Sequence, residues 1–177
     1  MVKRIMLSDL ALKIKHVPDW PTKGVSYTDT SRVFSDAVLF QNVIRALAEP
    51  YQKNKPDVIA GIEARGFILA GAMAYALGCG VVMVRRRGKT PGNVVNQEYS
   101  YEYSSNVIEM SEGSVEPGKK VVLVDDVLAT GATAAAAAKL IKKLGADIFG
   151  ISFVVEKEYL SPRQRLGVHP IYSLLKI

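Results

Sequence analysis

Two adjacent carboxylates, Asp125 and Asp126, follow a short apolar run in residues 121–133, which read VVLVDDVLATGAT. The apolar run is typical of a buried strand, and the alanine-rich residues 134–144 predict a helix. The small-residue turn between them places the open N–H groups of a helix N-terminus beyond a strand end, where they can hold a phosphate. The carboxylates are negatively charged and cannot bind that phosphate themselves. Their presence predicts that the ligand also carries hydroxyl groups or a metal ion. A sugar phosphate meets both requirements.

The turn differs from the two commonest phosphate motifs. It has no Lys before a Ser or Thr, as a P-loop requires, and only Gly131 of the three glycines in a dinucleotide-binding fingerprint. Backbone amides and two hydroxyl groups are the predicted phosphate donors, from Ala129, Thr130, Gly131, Ala132 and Thr133. An ordinary strand-to-helix turn with a Thr cap is the alternative, but two adjacent carboxylates repel each other and favour a ligand site.

A second segment has the same order of strand, acid, tight turn and helix. It is Glu63-Ala64-Arg65-Gly66, where backbone amides and the Arg65 guanidinium would meet an anion. A salt-bridged Arg at a helix start is the alternative. A basic loop, Arg85-Arg86-Arg87-Gly88-Lys89, follows the next apolar run. Together these segments predict a ligand with separated phosphates.

Composition narrows the class of protein. The 177 residues suit one domain, predicted over 1–177, and no apolar run approaches the ~20 residues of a membrane span. One Cys excludes an internal disulfide framework and predicts a cytoplasmic protein. His16 and His169 lack metal-ligand spacing. The net charge of +6 is scattered outside the basic loop, and no aromatic residues interleave with that loop, so we predict no nucleic-acid binding.

Apolar runs alternate with helical stretches, which predicts an α/β protein with an open, mostly parallel sheet flanked by helices. Predicted helices cover 37–51, 66–77 and 130–144. Predicted strands cover 57–62, 80–84, 121–124, 148–155 and 171–174. Residues 1–35 stand outside this rhythm and are predicted to form a small N-terminal cap over the sheet's carboxyl edge, where ligands bind in such folds.

Residues 85–117 also break the rhythm. Residues 90–97 are turn-like, and 98–103 with 106–110 predict an exposed hairpin. A long polar excursion inside a compact domain is often an active-site lid, so we predict a flexible hairpin lid here.

The VVLVDDVLATGAT segment resembles the phosphoribosyl-pyrophosphate motif of the type I phosphoribosyltransferases. Five further segments resemble the adenine phosphoribosyltransferase family, in its order and over nearly the whole chain. They read VPDWPTKGVSYTD from Val17, IAGIEARGF from Ile59, VRRRGKTPG from Val84, YEY from Tyr101 and YSLL from Tyr172. The resemblance implies the type I phosphoribosyltransferase fold, with phosphoribosyl pyrophosphate and a purine base, adenine, as substrates, Mg²⁺ as cofactor, and a homodimer.

The resemblance also implies roles for individual residues. The turn at 129–133 takes the 5-phosphate, and Asp125 and Asp126 hold the ribose hydroxyls, with Asp125 also near the metal. The turn at Glu63, Ala64 and Arg65 takes the pyrophosphate. The loop residues Arg85, Arg87 and Lys89 lie toward the same pyrophosphate. Arg65 and Lys89 would stabilise the leaving charge.

Glu102 aligns with the acid that the family places over the base from its flexible loop. There it would exchange a proton with a purine nitrogen, as general acid–base catalysis requires. Without the resemblance, a solvated hairpin Glu is the simpler interpretation.

The base-binding segment departs from the family pattern. Val25, Tyr27 and Thr28 are the predicted base contacts; Tyr27 can stack on a purine, but Thr28 stands where the family usually has Arg. Ala132 and Ser104 likewise replace usual glycines, and neither is expected to abolish activity.

Two alternatives stay open. The base could be hypoxanthine, guanine or xanthine, whose 6-oxo group wants a donor such as Lys157. The second alternative is a regulator that senses phosphoribosyl pyrophosphate without catalysis. The presence of Glu102 and Lys89 argues against it, because a sensor would need neither residue.

Overall fold

The computed structural model describes residues 7–101 and 104–177. Its helices are α1 (Leu7–Lys13), α2 (Ser31–Ser35), α3 (Ala37–Ala48), α4 (Arg65–Leu77) and α5 (Ala132–Lys143). Its strands are β1 (Lys15–Val17), β2 (Tyr27–Asp29), β3 (Val58–Ile62), β4 (Gly80–Arg86), β5 (Val94–Tyr101), β6 (Ser104–Ser111), β7 (Lys120–Leu128), β8 (Asp147–Glu156) and β9 (Ile171–Lys176). Short 3₁₀ turns cover Glu49–Tyr51, Glu158–Leu160 and Pro162–Arg165.

Seven strands form the central sheet in the order β5-β6-β4-β3-β7-β8-β9. The pairs from β4 to β9 are parallel, and the β5–β6 hairpin joins β4 in antiparallel fashion. This architecture confirms the predicted α/β class with a mostly parallel sheet. No helix of the described ranges is long and apolar enough to cross a membrane.

Both faces of the sheet are covered, which explains the continuous apolar character of its strands. Along β7, Val121 and Leu123 pack with the alanines of α5, whereas Val122 and Val124 pack with α3 and α4. Small side chains on α5 let this helix lie close to the sheet, and Leu140 and Ile141 near its end are fully buried.

Strand β7 continues further than predicted. We expected it over 121–124, yet it extends through both aspartates to Leu128, because Val127 and Leu128 continue the pairing with β8. The following helix begins at Ala132 rather than Thr130. The two carboxylates therefore lie within the strand, ahead of the turn.

The hairpin is also more extensive than predicted. Residues 94–97, expected to be turn-like, belong to β5, and the second strand spans Ser104–Ser111. Its base is buried rather than exposed, because Ile108 and Met110 pack into the α5 side of the core. This end of the hairpin is thus fixed to the sheet.

The N-terminal elements pack beside the sheet. Strands β1 and β2 form a separate antiparallel pair, and Leu10 and Val33 are buried in the same core as α3 and α4. Between β2 and α2, Thr30 donates to the carboxylate of Asp126, 2.5 Å away. The segment that carries Tyr27 and Thr28 is therefore held at the carboxyl end of β7.

Candidate functional site

Two turns lie side by side at the carboxyl edge of the sheet. Strands β3 and β7 are parallel neighbours, and each leads through a short turn into a helix, α4 or α5. The first turn of α4 packs against β7 so closely that a Cβ on Gly66 would lie 2.8 Å from the carbonyl oxygen of Val124. Only glycine fits there, so this residue sets the separation of the two turns.

The turn after β7 has the conformation of a phosphate cradle. Gly131 has φ of +81°, and α5 begins at the next residue. A Cβ on Gly131 would lie 2.5 Å from the carbonyl oxygen of Pro162, so the 3₁₀ turn at Pro162–Arg165 braces this loop from outside. Ala132, which replaces a usual glycine, has a helical conformation that any residue adopts. The predicted residues Ala129, Thr130, Gly131, Ala132 and Thr133 all line one small cavity, of about 110 Å³.

The two aspartates have different environments. Asp126 is 4% exposed, and its Oδ2 accepts hydrogen bonds from Thr30 and from Nε of Arg65, at 2.5 and 2.7 Å. Asp125 accepts from the backbone N–H of Asp126, at 2.9 Å, and borders all three neighbouring cavities. Burial and the charge of Asp126 raise the pKa of Asp125 well above its ordinary value. Asp125 is therefore the carboxylate best placed to meet a ligand.

Arg65 joins the two motifs. Besides its ion pair with Asp126, its guanidinium donates to the hydroxyl of Tyr27 and lies over that ring, with Cζ 5.3 Å from the centroid. The Arg65 side chain therefore contacts Asp126 and Tyr27 in this structure. A contact between Arg65 and a pyrophosphate remains a prediction.

The basic loop borders one of the two large spaces beside Asp125. Arg85 and Arg87 line a cavity of about 640 Å³, which we call the Arg85 cavity; Glu63, Asp125 and Thr133 also line it. Nε of Arg85 is buried with no hydrogen-bond partner among the described residues. Glu63 accepts from the backbone N–H of Arg86, at 2.9 Å, and so links the turn after β3 to the loop.

Glu109 holds the far end of this loop, a role that the sequence analysis missed. Its carboxylate is 4% exposed and accepts from the backbone N–H groups of Lys89 and Thr90, at 2.9 and 2.8 Å. Burial acts to raise the pKa of Glu109, but these hydrogen bonds, with one from the Gly88 backbone, lower it overall. The signal was available, because an acid within the apolar residues 107–110 requires a partner.

A third space, the Tyr27 cavity, lies between the N-terminal segment and the strand ends, with a volume of about 650 Å³. Tyr27 presents its ring there, and the Trp20 ring meets it edge-on at 4.4 Å between centroids. Val25, Thr28 and Lys157 line the same cavity. The predicted base contacts therefore share one aromatic-walled space beside Asp125.

The structure brings nearly all predicted site residues to one sheet edge, around Asp125. Lys89 is fixed at its backbone by Glu109, and its side chain lines none of the three cavities beside Asp125. Glu102 lies outside the described residues, in the connection between β5 and β6. Within the described ranges, no group of three or more His, Cys, Asp or Glu side chains forms a metal cage.

Comparisons with known proteins agree with this geometry. Residues 30–165 match the family model described as the phosphoribosyl transferase domain. The chain is 43% identical to the adenine phosphoribosyltransferase of Desulforamulus reducens, over 96% of this chain and 98% of that protein. The solved adenine phosphoribosyltransferase of Thermoanaerobacter pseudethanolicus superposes with a TM-score of 0.93 and 40% identity, covering 97% and 100% of the two chains. The Saccharomyces cerevisiae enzyme, solved with a bisphosphate ligand and adenine, gives 0.88 and 36%, covering 95% and 97%.

Proposed function

The chain belongs to the adenine phosphoribosyltransferases of the phosphoribosyltransferase family, and we propose that it transfers the 5-phosphoribosyl group from phosphoribosyl pyrophosphate to adenine. The products are AMP and pyrophosphate, a purine-salvage reaction. The observation that carries this proposal is the position of Asp125, which borders the phosphate turn, the Arg85 cavity and the Tyr27 cavity at once. A phosphate, a second anion and a flat base can thus meet around one ribose.

Each part of the sugar phosphate has a matching surface. The 5-phosphate is held by the turn at 129–133, and the ribose hydroxyls by Asp125, with Asp126 beside it. The pyrophosphate lies in the Arg85 cavity, which Arg85, Arg87 and Glu63 line, and Ala64 lines the adjoining Tyr27 cavity. We propose that Lys89 and Arg65 add to the neutralisation of the pyrophosphate, although Lys89 lines none of the three cavities and Arg65 is paired with Asp126 in this structure. Guanidinium groups suit this task because they offer several donors to phosphate oxygens.

The reaction is a displacement at C1 of the ribose. The bond between the purine ring nitrogen and C1 forms, the bond from C1 to the pyrophosphate oxygen breaks with its electron pair on that oxygen, and the ring N–H proton is released. Positive charge develops on the sugar ring, as in glycoside hydrolysis, and the Asp125 carboxylate stabilises it. Glu102 accepts the proton, and the reaction needs no protein nucleophile.

Magnesium fits this site through Asp125. Burial and the nearby charge of Asp126 raise the pKa of this carboxylate, and a bound cation would favour its ionised form. The ion would take most of its ligands from substrate and water. When bound, it neutralises charge on the leaving pyrophosphate.

We also propose that two copies form a homodimer through an apolar face beside α4. Ile68 and Tyr75 on α4, with Val81 and Met83 on β4, are at least half exposed. They lie on one side of the sheet, because Val81 pairs with Ile59, whose side chain packs under α4. Sedimentation of the wild type as a dimer and of Tyr75→Glu as a monomer would support this; a monomeric wild type would exclude it.

We also propose a cytoplasmic location, because a chain with one cysteine suits a reducing compartment.

The experiment is steady-state pyrophosphate release with phosphoribosyl pyrophosphate, Mg²⁺ and each purine base in turn. We expect turnover with adenine that stops when the metal is chelated. Binding of phosphoribosyl pyrophosphate without turnover on any base would contradict the proposal and favour a sensing protein.

A further inference from the structure

Lys157 is a buried cation that the proposed reaction does not use. It follows the last residue of β8, is 6% exposed and lines the Tyr27 cavity. Its Nζ donates to the carbonyl oxygen of Ser26, at 2.5 Å, and no carboxylate of the described ranges forms an ion pair with it. An ammonium group carries three N–H donors, and burial without acceptors is costly. Donors of Lys157 therefore remain for a ligand in this cavity.

Thr28 does not offer its hydroxyl group to this cavity. The residue lines the cavity, but its Oγ1 is buried without a hydrogen-bond partner among the described residues, and neighbouring side chains of β2 point to opposite faces of the strand. The polarity of the space that Tyr27 provides for a base therefore depends on Lys157.

The contact between Lys157 and Ser26 changes the polarity of this pocket. A bare backbone carbonyl would be an acceptor, suited to the 6-amino group of adenine. Lys157 occupies that carbonyl and offers donors instead. A donor-only group cannot receive the hydrogens of an amino group, but it pairs well with a carbonyl oxygen.

The 6-oxopurines carry the matching edge. Hypoxanthine has a carbonyl oxygen at C6, which Lys157 can satisfy. Adenine lacks this carbonyl oxygen, but its ring can still stack on Tyr27. We infer that this chain uses a 6-oxopurine, with hypoxanthine the simplest, as a substrate in addition to adenine, and that Lys157 is the residue that admits it.

This inference rests on the proposed function and follows the same bond changes. A ring nitrogen of hypoxanthine displaces pyrophosphate from C1, the ring N–H proton is released, and inosine monophosphate is the product. The specificity lies only in the edge of the base that Lys157 contacts.

The test compares hypoxanthine with adenine in the wild type, in Lys157→Leu and in Lys53→Leu, which removes an equal charge from an exposed site. Each enzyme is assayed for pyrophosphate release at saturating phosphoribosyl pyrophosphate and Mg²⁺. Losing a charged hydrogen bond predicts that the ratio of kcat/KM for hypoxanthine to that for adenine falls roughly 10- to 100-fold in Lys157→Leu. In Lys53→Leu the ratio should stay at the wild-type value.

The outcomes separate the inference from the proposed function. Wild-type turnover with adenine and none with hypoxanthine would overturn the inference and leave the function standing, whereas turnover with neither base would overturn both. An unchanged ratio in Lys157→Leu, or equal loss with both bases, would remove Lys157 as the specificity residue. If Lys157→Leu does not fold, Lys157→Met replaces it, since Met keeps the unbranched stem without the charge.

Discussion

Arg65 and Asp126 form an ion pair that joins the two strand-end turns, with Nε of Arg65 2.7 Å from Oδ2 of Asp126. The pair also reaches the N-terminal segment, because Thr30 donates to the same carboxylate oxygen and Tyr27 accepts from Arg65. The Asp126 carboxylate therefore joins three segments of the site: its own strand end, the turn that carries Arg65 and the N-terminal segment. Asp126 thus positions Arg65 and Thr30, and its neighbour Asp125 is the carboxylate that can contact the ligand.

Asp126→Asn should reduce the free energy of unfolding by about 3 kcal/mol, because it removes the charge that Arg65 pairs with in a largely buried setting. Urea unfolding at neutral pH measures this. Asp147→Asn is the control, since the ion pair of Asp147 with Lys142 is exposed and should contribute less than about 1 kcal/mol. Equal losses in the two variants would show that the Arg65 pair has no special structural role.

Glu109→Gln should loosen the basic loop. The neutral amide is a weaker acceptor for the backbone N–H groups of Lys89 and Thr90, so we expect KM for phosphoribosyl pyrophosphate to rise roughly tenfold. The KM for adenine should change much less, and this difference distinguishes loop positioning from general destabilisation. Glu112→Gln, on the exposed turn after β6, is the control. An unaltered KM in Glu109→Gln would exclude the positioning role.

Gly131→Ala should distort the phosphate turn, because its Cβ would lie 2.5 Å from the Pro162 carbonyl oxygen. Gly167→Ala is a matched control, with φ of +63° and nothing within 4 Å of the new Cβ. The control should lose about 1 kcal/mol of unfolding free energy from its positive φ alone. Gly131→Ala should lose about 1–3 kcal/mol more from the added clash and bind phosphoribosyl pyrophosphate more weakly. Similar losses in both variants would argue against bracing by Pro162.

The ionised Asp125 side chain should lower the stability of the fold at neutral pH while it contributes to substrate binding. Its pKa is raised in the folded state, so the contribution of this group to stability is full below its unfolded pKa and is lost as pH rises through the folded pKa. Asp125→Asn should therefore unfold at higher urea than the wild type at pH 7, and its stability should fall less between pH 4 and pH 7. Its kcat/KM for phosphoribosyl pyrophosphate should drop roughly tenfold or more. A variant less stable than the wild type at pH 7 would contradict this account.

Glu102→Ala should lower kcat roughly 10²- to 10⁴-fold by removing the proposed proton acceptor. Binding of phosphoribosyl pyrophosphate, measured by calorimetry, should stay near the wild-type value. Glu112→Ala controls for loss of one carboxylate near the hairpin. An unchanged kcat in Glu102→Ala would exclude Glu102 as the proton acceptor.

The sequence was sufficient for the fold class because the apolar strands and the alanine-rich helix have strong local signals. The bounds of β7 were not predictable, since Val127 and Leu128 extend it only through pairing with β8. Asp125 and Asp126 were identified together, but their different partners depend on Thr30 and Arg65, which are distant in sequence. Glu109 was missed for the same reason, because it acts on a backbone twenty residues away.

The most direct test of the central claim is product identification. Purified protein with phosphoribosyl pyrophosphate, adenine and Mg²⁺ is sampled over time, and the nucleotide and the pyrophosphate are each quantified. The account predicts AMP and pyrophosphate in equal amounts, both dependent on added adenine. Pyrophosphate without AMP, or neither product, would contradict transfer of the phosphoribosyl group to adenine.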